Sequence, residues 1–298
     1  MKIVLAESLG FCYGVNRAVE ATKRLLKEKR DARVIGDIVH NEIVMKKLKD
    51  MGLKVYPDLS SIDFSDTAEN SVAIIRAHGA SPDVEDFLKR RFGYVVDLTC
   101  PIVYNVFSLA KDLEKKGYFI VIFGKKDHAE VKALCGRLND YLIVEPGYDF
   151  ETIKAFLREK KPKKVALISQ TTMNSESFEK LAEKLLKLEG IEVSVNNTIC
   201  NVTINREKMA IHLAQTCDAV VVVGGKRSSN TGKLAKIVES HGKRAFHVQN
   251  PEQLPDLSVY GKVGIISGTS TPKEQILKIL DYIKFTYEGE VIRNGGEV

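Results

Sequence analysis

Residues 94–107 read YVVDLTCPIVYNVF, and the order of residue types in this stretch decides the fold. A β-branched run closes on Cys100, Pro101 follows at once, and apolar residues then recur at helical spacing. This is a strand feeding a helix through a tight turn. Proline suits the first helical position, where its missing N–H removes no hydrogen bond. A turn ordinarily carries Gly, Asp or Asn, and a buried thiol ordinarily sits inside a strand. A cysteine at this boundary raises the question whether the arrangement recurs.

The alternation recurs throughout the chain. SVAIIRAHGA (71–80), YFIVIFGKK (118–126), KKVALISQTT (163–172), DAVVVVGGKR (218–227) and KVGIISGTS (262–270) are short apolar runs set between amphipathic segments. Nearly continuous β-branched strands predict parallel sheets covered on both faces, an α/β fold. The cysteines repeat with it. Cys12 ends VLAESLGFC, Cys100 ends YVVDLTC and Cys200 ends VSVNNTIC, each followed by a helix-like segment. Counting 28 residues on from each reaches His40, His128 and Ser228, and counting 66, 71 and 70 reaches His78, Thr171 and Ser270. All six positions lie just past a strand. Such self-similarity predicts three related α/β units, with boundaries at 1–97, 98–197 and 198–298 and the N-terminal strand, 1–12, packing with the third. The working loops of open parallel sheets lie beyond the carboxyl ends of the strands. The polar loop residues are therefore expected to converge.

Composition narrows the chemistry. The chain has 298 residues, 44% hydrophobic and 28% charged, with a net charge of +6. This is ordinary for a globular protein. No apolar run approaches the ~18 residues of a membrane span, and Glu7 interrupts the start too early for a signal-peptide core. A cytoplasmic protein is expected, with no membrane. No basic cluster is interleaved with aromatics, so no nucleic acid is expected either. The modest positive charge suits an anionic small ligand or an acidic protein partner. Five cysteines without a CxxC argue against a disulfide framework, a zinc ribbon or a local ferredoxin-type loop.

A cysteine at a helix start meets the positive end of the helix dipole, which favours thiolate. Three such thiolates suit zinc or an iron–sulfur cluster. A structural zinc normally takes four protein ligands, whereas a cubane held by three cysteines leaves one iron open to a substrate oxygen. Cys135 and Cys217 fall off the repeat and read as packing thiols. Around the metal, His40, His78 and His128 would donate to an anion, as would Ser228, Ser229 and Asn230 at a helix start and Ser270 before Pro272. Glu130, two residues past His128, is the carboxyl that a bound anion would keep protonated as a proton donor. Thr171 could relay that proton. Taken singly, the Ser, Thr and Asn residues are N-caps, and a lone His or Glu is structural. Two rival readings share these residues: a non-redox α/β phosphate-ester enzyme, and an iron–sulfur sensor that binds a phosphorylated ligand without turning it over.

The motifs GFCYGVNRAVE, HNEIV, AHGAS, DLTCP, HAEV, SQTTM, IC with TINR, SSNT and GTSTP together resemble the 4-hydroxy-3-methylbut-2-enyl diphosphate reductases, the LytB or IspH family. The resemblance covers almost the whole chain. It implies three α/β units in a pseudo-threefold trefoil around a [4Fe-4S] cluster bound by Cys12, Cys100 and Cys200. It implies a diphosphate held by His40, His78, His128, Ser228, Ser229, Asn230 and Ser270, with Glu130 and Thr171 in a proton relay at the substrate hydroxyl. The implied activity is reductive removal of that hydroxyl from an allylic diphosphate, giving isopentenyl and dimethylallyl diphosphate, the last step of the non-mevalonate isoprenoid pathway. Reduced ferredoxin or flavodoxin is the expected electron donor. The chain departs from the family in Ala129, where His-Pro-Glu is frequent, and in GKKDH (124–128), where the family has a glycine-rich run.

Overall fold

The computed structural model describes residues 1–62 and 71–292; the last six residues of the third sequence segment lie outside that range. Strand β1 (Lys2–Leu5) leads to helix α1 (Tyr13–Lys27), then β2 (Asp31–Ile35), α2 (Glu42–Asp50), β3 (Lys54–Tyr56), β4 (Ser71–Ile75), α3 (Pro82–Arg91) and β5 (Tyr94–Asp97). Next come α4 (Pro101–Lys115), β6 (Phe119–Phe123), α5 (Ala129–Cys135), β7 (Tyr141–Val144), α6 (Phe150–Lys160), β8 (Lys164–Ser169), α7 (Ser175–Leu186) and β9 (Glu192–Val195). The chain continues through α8 (Asn201–Thr216), β10 (Ala219–Val223), α9 (Ser229–Ser240), β11 (Arg244–Val248), β12 (Lys262–Ser267), α10 (Lys273–Thr286) and β13 (Glu290–Ile292).

The strands form three parallel sheets with one shared order. Two four-stranded sheets run β3-β2-β4-β5 and β7-β6-β8-β9, and a five-stranded sheet runs β11-β10-β12-β1-β13. Counted along the chain, each sheet is ordered second, first, third, fourth. In the five-stranded sheet the fourth place is taken by β1, which pairs in parallel with β12 from Lys2↔Lys262 to Leu5↔Ile265. The N-terminal strand thus inserts between β12 and β13 in the sheet built by the C-terminal third of the chain. The α/β class with parallel sheets agrees with the sequence reading. Strands such as β6 and β10 are buried at every residue, as parallel strands covered on both faces must be.

The chain divides into two compact units. One comprises residues 1–19, 38–50 and 201–298, and the other 20–37 and 51–200. In the first, α8, α9 and α10 cover the five-stranded sheet. Ala210, Leu213 and Leu234 pack on one face with Val220 and Val222, and Ile276, Ile279 and Ile283 on the other with Val221 and Val223. In the second, α4 delivers Val103, Val106, Phe107 and Ala110 onto Ile120 and Ile122 of β6, and Leu88 and Phe92 close over Ala73 and Ile75 of β4. Each such fully buried aliphatic side chain contributes roughly 1.5–3 kcal/mol. No helix among the described residues is long and apolar enough to cross a membrane.

Candidate functional site

The strand order places the candidate residues. In each sheet the order reverses between the first and third strands, where outgoing loops part and leave a crevice at the carboxyl ends. His40, His128 and Ser228 lie on the loops after β2, β6 and β10, the first strands, each five residues past the strand end. His78, Thr171 and Ser270 lie on the loops after β4, β8 and β12, the third strands. The cysteines follow β5, β9 and β1, the fourth strands, and each immediately precedes a helix. Their backbone N–H groups share one arrangement. Cys100 donates to the Ala77 carbonyl at 3.0 Å, Cys200 to Thr171 at 3.0 Å and Cys12 to Thr269 at 3.1 Å. These bonds correct the sequence register by one residue: Thr171 corresponds to Ala77 and Thr269, not to His78 and Ser270. None of the five cysteines forms a disulfide.

In the second unit, the hydrogen-bond network centres on Glu130. His128 caps α5, its Nδ1 accepting the Glu130 N–H at 3.3 Å. That bond leaves the Nε2–H of the neutral ring as the donor. Glu130, in the first turn of α5, is only 2% exposed. Its two carboxyl oxygens accept the Thr171 N–H and the Thr171 hydroxyl, each at 2.7 Å. Burial raises its pKa to about 7 against the opposing pull of those two bonds, so the carboxyl is half protonated near neutrality. A chain of contacts results: the Thr171 side chain and N–H bind Glu130, and the Thr171 carbonyl binds the Cys200 N–H. The His78 and His128 rings meet edge to face, with centroids 5.2 Å apart. Cys100 stands at the N-cap of α4, its sulfur taking no part in the cap.

The first unit assembles the hydroxyl and amide donors. Ser228 caps α9 by accepting the Thr231 N–H at 3.2 Å. The Ser270 hydroxyl lies 3.4 Å from both the Ser228 hydroxyl and the His40 carbonyl oxygen. Ser229 is half-buried. Asn230 is 3% exposed, and neither its amide nitrogen nor its amide oxygen has a hydrogen-bond partner among the described residues. A buried, unsatisfied amide costs about 1–3 kcal/mol, so Asn230 holds an unused donor and an unused acceptor at the start of α9. Gly10, two residues before Cys12, has a positive φ of 89°, a conformation glycine adopts without strain.

Several contributors, three of them inside motifs quoted above, had no role assigned from the sequence. Asn41 holds His40 in place: its side-chain oxygen accepts the Ile43 and Val44 N–H groups, and its side-chain nitrogen donates to Gln275 at 2.9 Å. An Asn just before a helical pattern is an N-cap signal that could have found it. Gln170, 1% exposed, accepts the Lys125 N–H and thereby fixes the loop that carries His128. Gly225 permits the close approach of another loop, since a Cβ there would collide with the His40 carbonyl oxygen. Arg206, 1% exposed, donates to the Ser267 and Gly10 carbonyls. Cys217, read from the sequence as a packing thiol, packs in the core beneath β10, and two histidines outside the repeat, His241 and His247, bond the Ile237 and Gly224 carbonyls.

The LytB protein family model matches residues 3–284. A 4-hydroxy-3-methylbut-2-enyl diphosphate reductase of Kosmotoga olearia is 99% identical over 298 residues, covering 100% of both chains. A relative of the same name from a Thermotoga species is 39% identical over 286 residues, 95% of this chain and 96% of its own. Among solved structures, the Plasmodium falciparum E-1-hydroxy-2-methyl-but-2-enyl-4-diphosphate reductase superposes with a TM-score of 0.86 at 28% identity, covering 100% of this chain and 93% of that one. A (E)-4-hydroxy-3-methyl-but-2-enyl diphosphate reductase, described as the terminal enzyme of the non-mevalonate pathway, superposes with a TM-score of 0.69 at 33% identity, covering 96% of this chain and 100% of its own.

Proposed function

The chain belongs to the LytB protein family, and from that premise we propose that it reduces 4-hydroxy-3-methylbut-2-enyl diphosphate to isopentenyl and dimethylallyl diphosphate, the last step of the non-mevalonate pathway. The reaction takes up two electrons and two protons. The allylic C–O bond breaks, one proton leaves with the hydroxyl as water, and the other forms a C–H bond at either of two carbons. A reductase of this kind requires a redox group. We assign the ligands as Cys12, Cys100 and Cys200, and the group as a [4Fe-4S] cluster. The residues suit it: three half-exposed thiols at helix starts, where thiolate is favoured, and no fourth cysteine on the repeat. When bound, the cluster supplies electrons singly and a Lewis-acidic iron toward the substrate hydroxyl.

The chain's own residues do the rest. His40, His78, His128, Ser228, Ser229, Asn230 and Ser270 hold the diphosphate. Asn230 recovers the hydrogen bonds it lacks, and the start of α9 offers a favourable dipole. Glu130 carries the proton destined for the departing hydroxyl, and the Thr171 hydroxyl passes it on. The observation that carries this reading is the Glu130–Thr171 pair: a buried carboxyl with its pKa raised to about 7, two bonds from the Cys200 backbone. The same reading takes residues 1–97, 98–197 and 198–298 as repeats that each bring one cysteine, β1 serving the third. It also takes the enzyme to work in the cytoplasm, a compartment that keeps thiols reduced. Reduced ferredoxin or flavodoxin is the donor.

Anaerobic iron and sulfide analysis of the wild type beside Cys200→Ser tests the assignment. About four irons and four sulfides are expected in the wild type, with substrate dehydroxylation driven by a chemical reductant, and loss of both in the variant. A colourless wild type holding only zinc would refute it.

A further inference from the structure

Arg206 breaks the repeat. It is the sixth residue past Cys200, and the sixth residues past Cys12 and Cys100 are Ala18 and Val106. Those two are buried and apolar, at 0% and 3% exposure, while Arg206 is a guanidinium at 1%. Burying a cation costs several kcal/mol unless an anion lies beside it. No carboxylate supplies that charge among the described residues: its hydrogen bonds go to the Ser267 carbonyl, the Ser267 hydroxyl at 3.2 Å and the Gly10 carbonyl at 2.6 Å, all uncharged. The assigned ligand next to these bonds is Cys12, two residues past Gly10, whose carbonyl the guanidinium binds. The Nε–H has no partner among the described residues.

The surrounding bonds fix where this charge sits. The Gly10 N–H donates to the Ser267 hydroxyl at 2.9 Å, and the Cys12 N–H to the Thr269 carbonyl. Arg206 therefore ties the turn before Cys12 to the loop after β12, with its unsatisfied donor and its charge retained in the same place. Neither of the other cysteines has a cation in the equivalent place.

We propose that Arg206 is the buried counter-cation of the Cys12 sulfur, a positioning residue that lowers the free energy of the reduced metal centre without touching substrate. The inference rests on the ligand assignment above. Reduction adds negative charge to a cluster, and a neighbouring cation or a hydrogen bond to a ligand sulfur favours the reduced form. Removing the Arg206 charge should therefore move the reduction equilibrium against the reduced form by about tenfold or more, or about 59 mV for one electron.

The test is a redox titration of the anaerobically loaded full-length protein, monitored by the cluster's optical and paramagnetic signals, with iron content and melting temperature measured alongside. Arg206→Gln and Arg206→Met are expected to shift the potential negative by at least that tenfold equivalent. Arg206→Lys, which keeps the charge and loses the fork, should restore most of the shift. Ser267→Ala, which removes a hydroxyl partner but no charge, should stay at the wild-type potential. A loaded Arg206→Gln or Arg206→Met protein at the wild-type potential overturns the inference. If both neutral variants fail to fold, an Arg206→Lys protein shifted negative by the full tenfold overturns it as well. A wild type without iron overturns the ligand assignment itself, and the two failures are thereby distinguished.

Discussion

Burial favours the protonated form of Glu130, and the sign of that effect has two measurable consequences. Its carboxyl rises from an ordinary 4.5 to about 7 in the folded chain, so the folded state binds the proton more tightly than the unfolded state. The associated stability is fully present below about pH 4.5 and is lost as pH rises through 7, on the order of 3 kcal/mol in all. Glu130→Gln, which stays neutral at every pH, should flatten that part of a chemical-denaturation profile measured between pH 4.5 and 8. The same variant should lose turnover by about a hundredfold or more while keeping iron content and substrate affinity; near-normal turnover would reject the proton-donor role. Thr171→Val separates the two partners further. The hydroxyl bond favours the ionised carboxylate, so its removal should lower maximal turnover and carry the alkaline limb of the kcat profile to higher pH. A limb that stays in place or moves down would show that the hydroxyl does not set the Glu130 charge.

Loops carry the site, and their packing decides how sharply it is formed. The Gly225 backbone presses on the His40 carbonyl, and Glu42 on α2 receives Arg227 and Gln249 from the same neighbourhood. Gly225→Ala should push these two loops apart, raising KM for the diphosphate substrate by about tenfold, the equivalent of one hydrogen bond to a charged group, with kcat little altered. A fall in kcat alone would place the loop in the chemical step. Much of this element-level arrangement was legible in the sequence. The apolar runs of β6 and β10 announced buried parallel strands, and the spacing of 28 residues located His40, His128 and Ser228 because the loops after the first strands are equal in length. The one-residue slip at Thr171 has a physical origin. Second and third strands are joined by helix α6 in one repeat and by a short 3-10 turn, Pro251–Gln253, in another, so counting from a cysteine accumulates differences in connection length. Arg206 and Gln170 were hidden for a different reason. An Arg within a helical pattern reads as a solvated side chain, and only the fold shows that its face of α8 is closed by the Gly10 and Ser267 backbone.

At the scale of the whole molecule, the sequence's excess of basic over acidic residues bears on electron delivery. A net charge of +6 on 298 residues is too small to argue for nucleic acid, and its sign would attract the acidic donor proposed above. Ferredoxins and flavodoxins recruited this way should reduce the enzyme at a rate that falls with salt. The screening length shrinks from about 10 Å at 0.1 M to about 3 Å at 1 M ionic strength, and steered encounters lose about tenfold or more in rate over such a range. A small neutral reductant meets no such field and should reduce the protein at a rate independent of salt. Stopped-flow reduction of the loaded enzyme by an acidic ferredoxin and by a neutral dye, each across that range, makes the comparison. Parallel salt profiles for the two reductants would remove charge steering from the account and leave donor recognition to apolar contact.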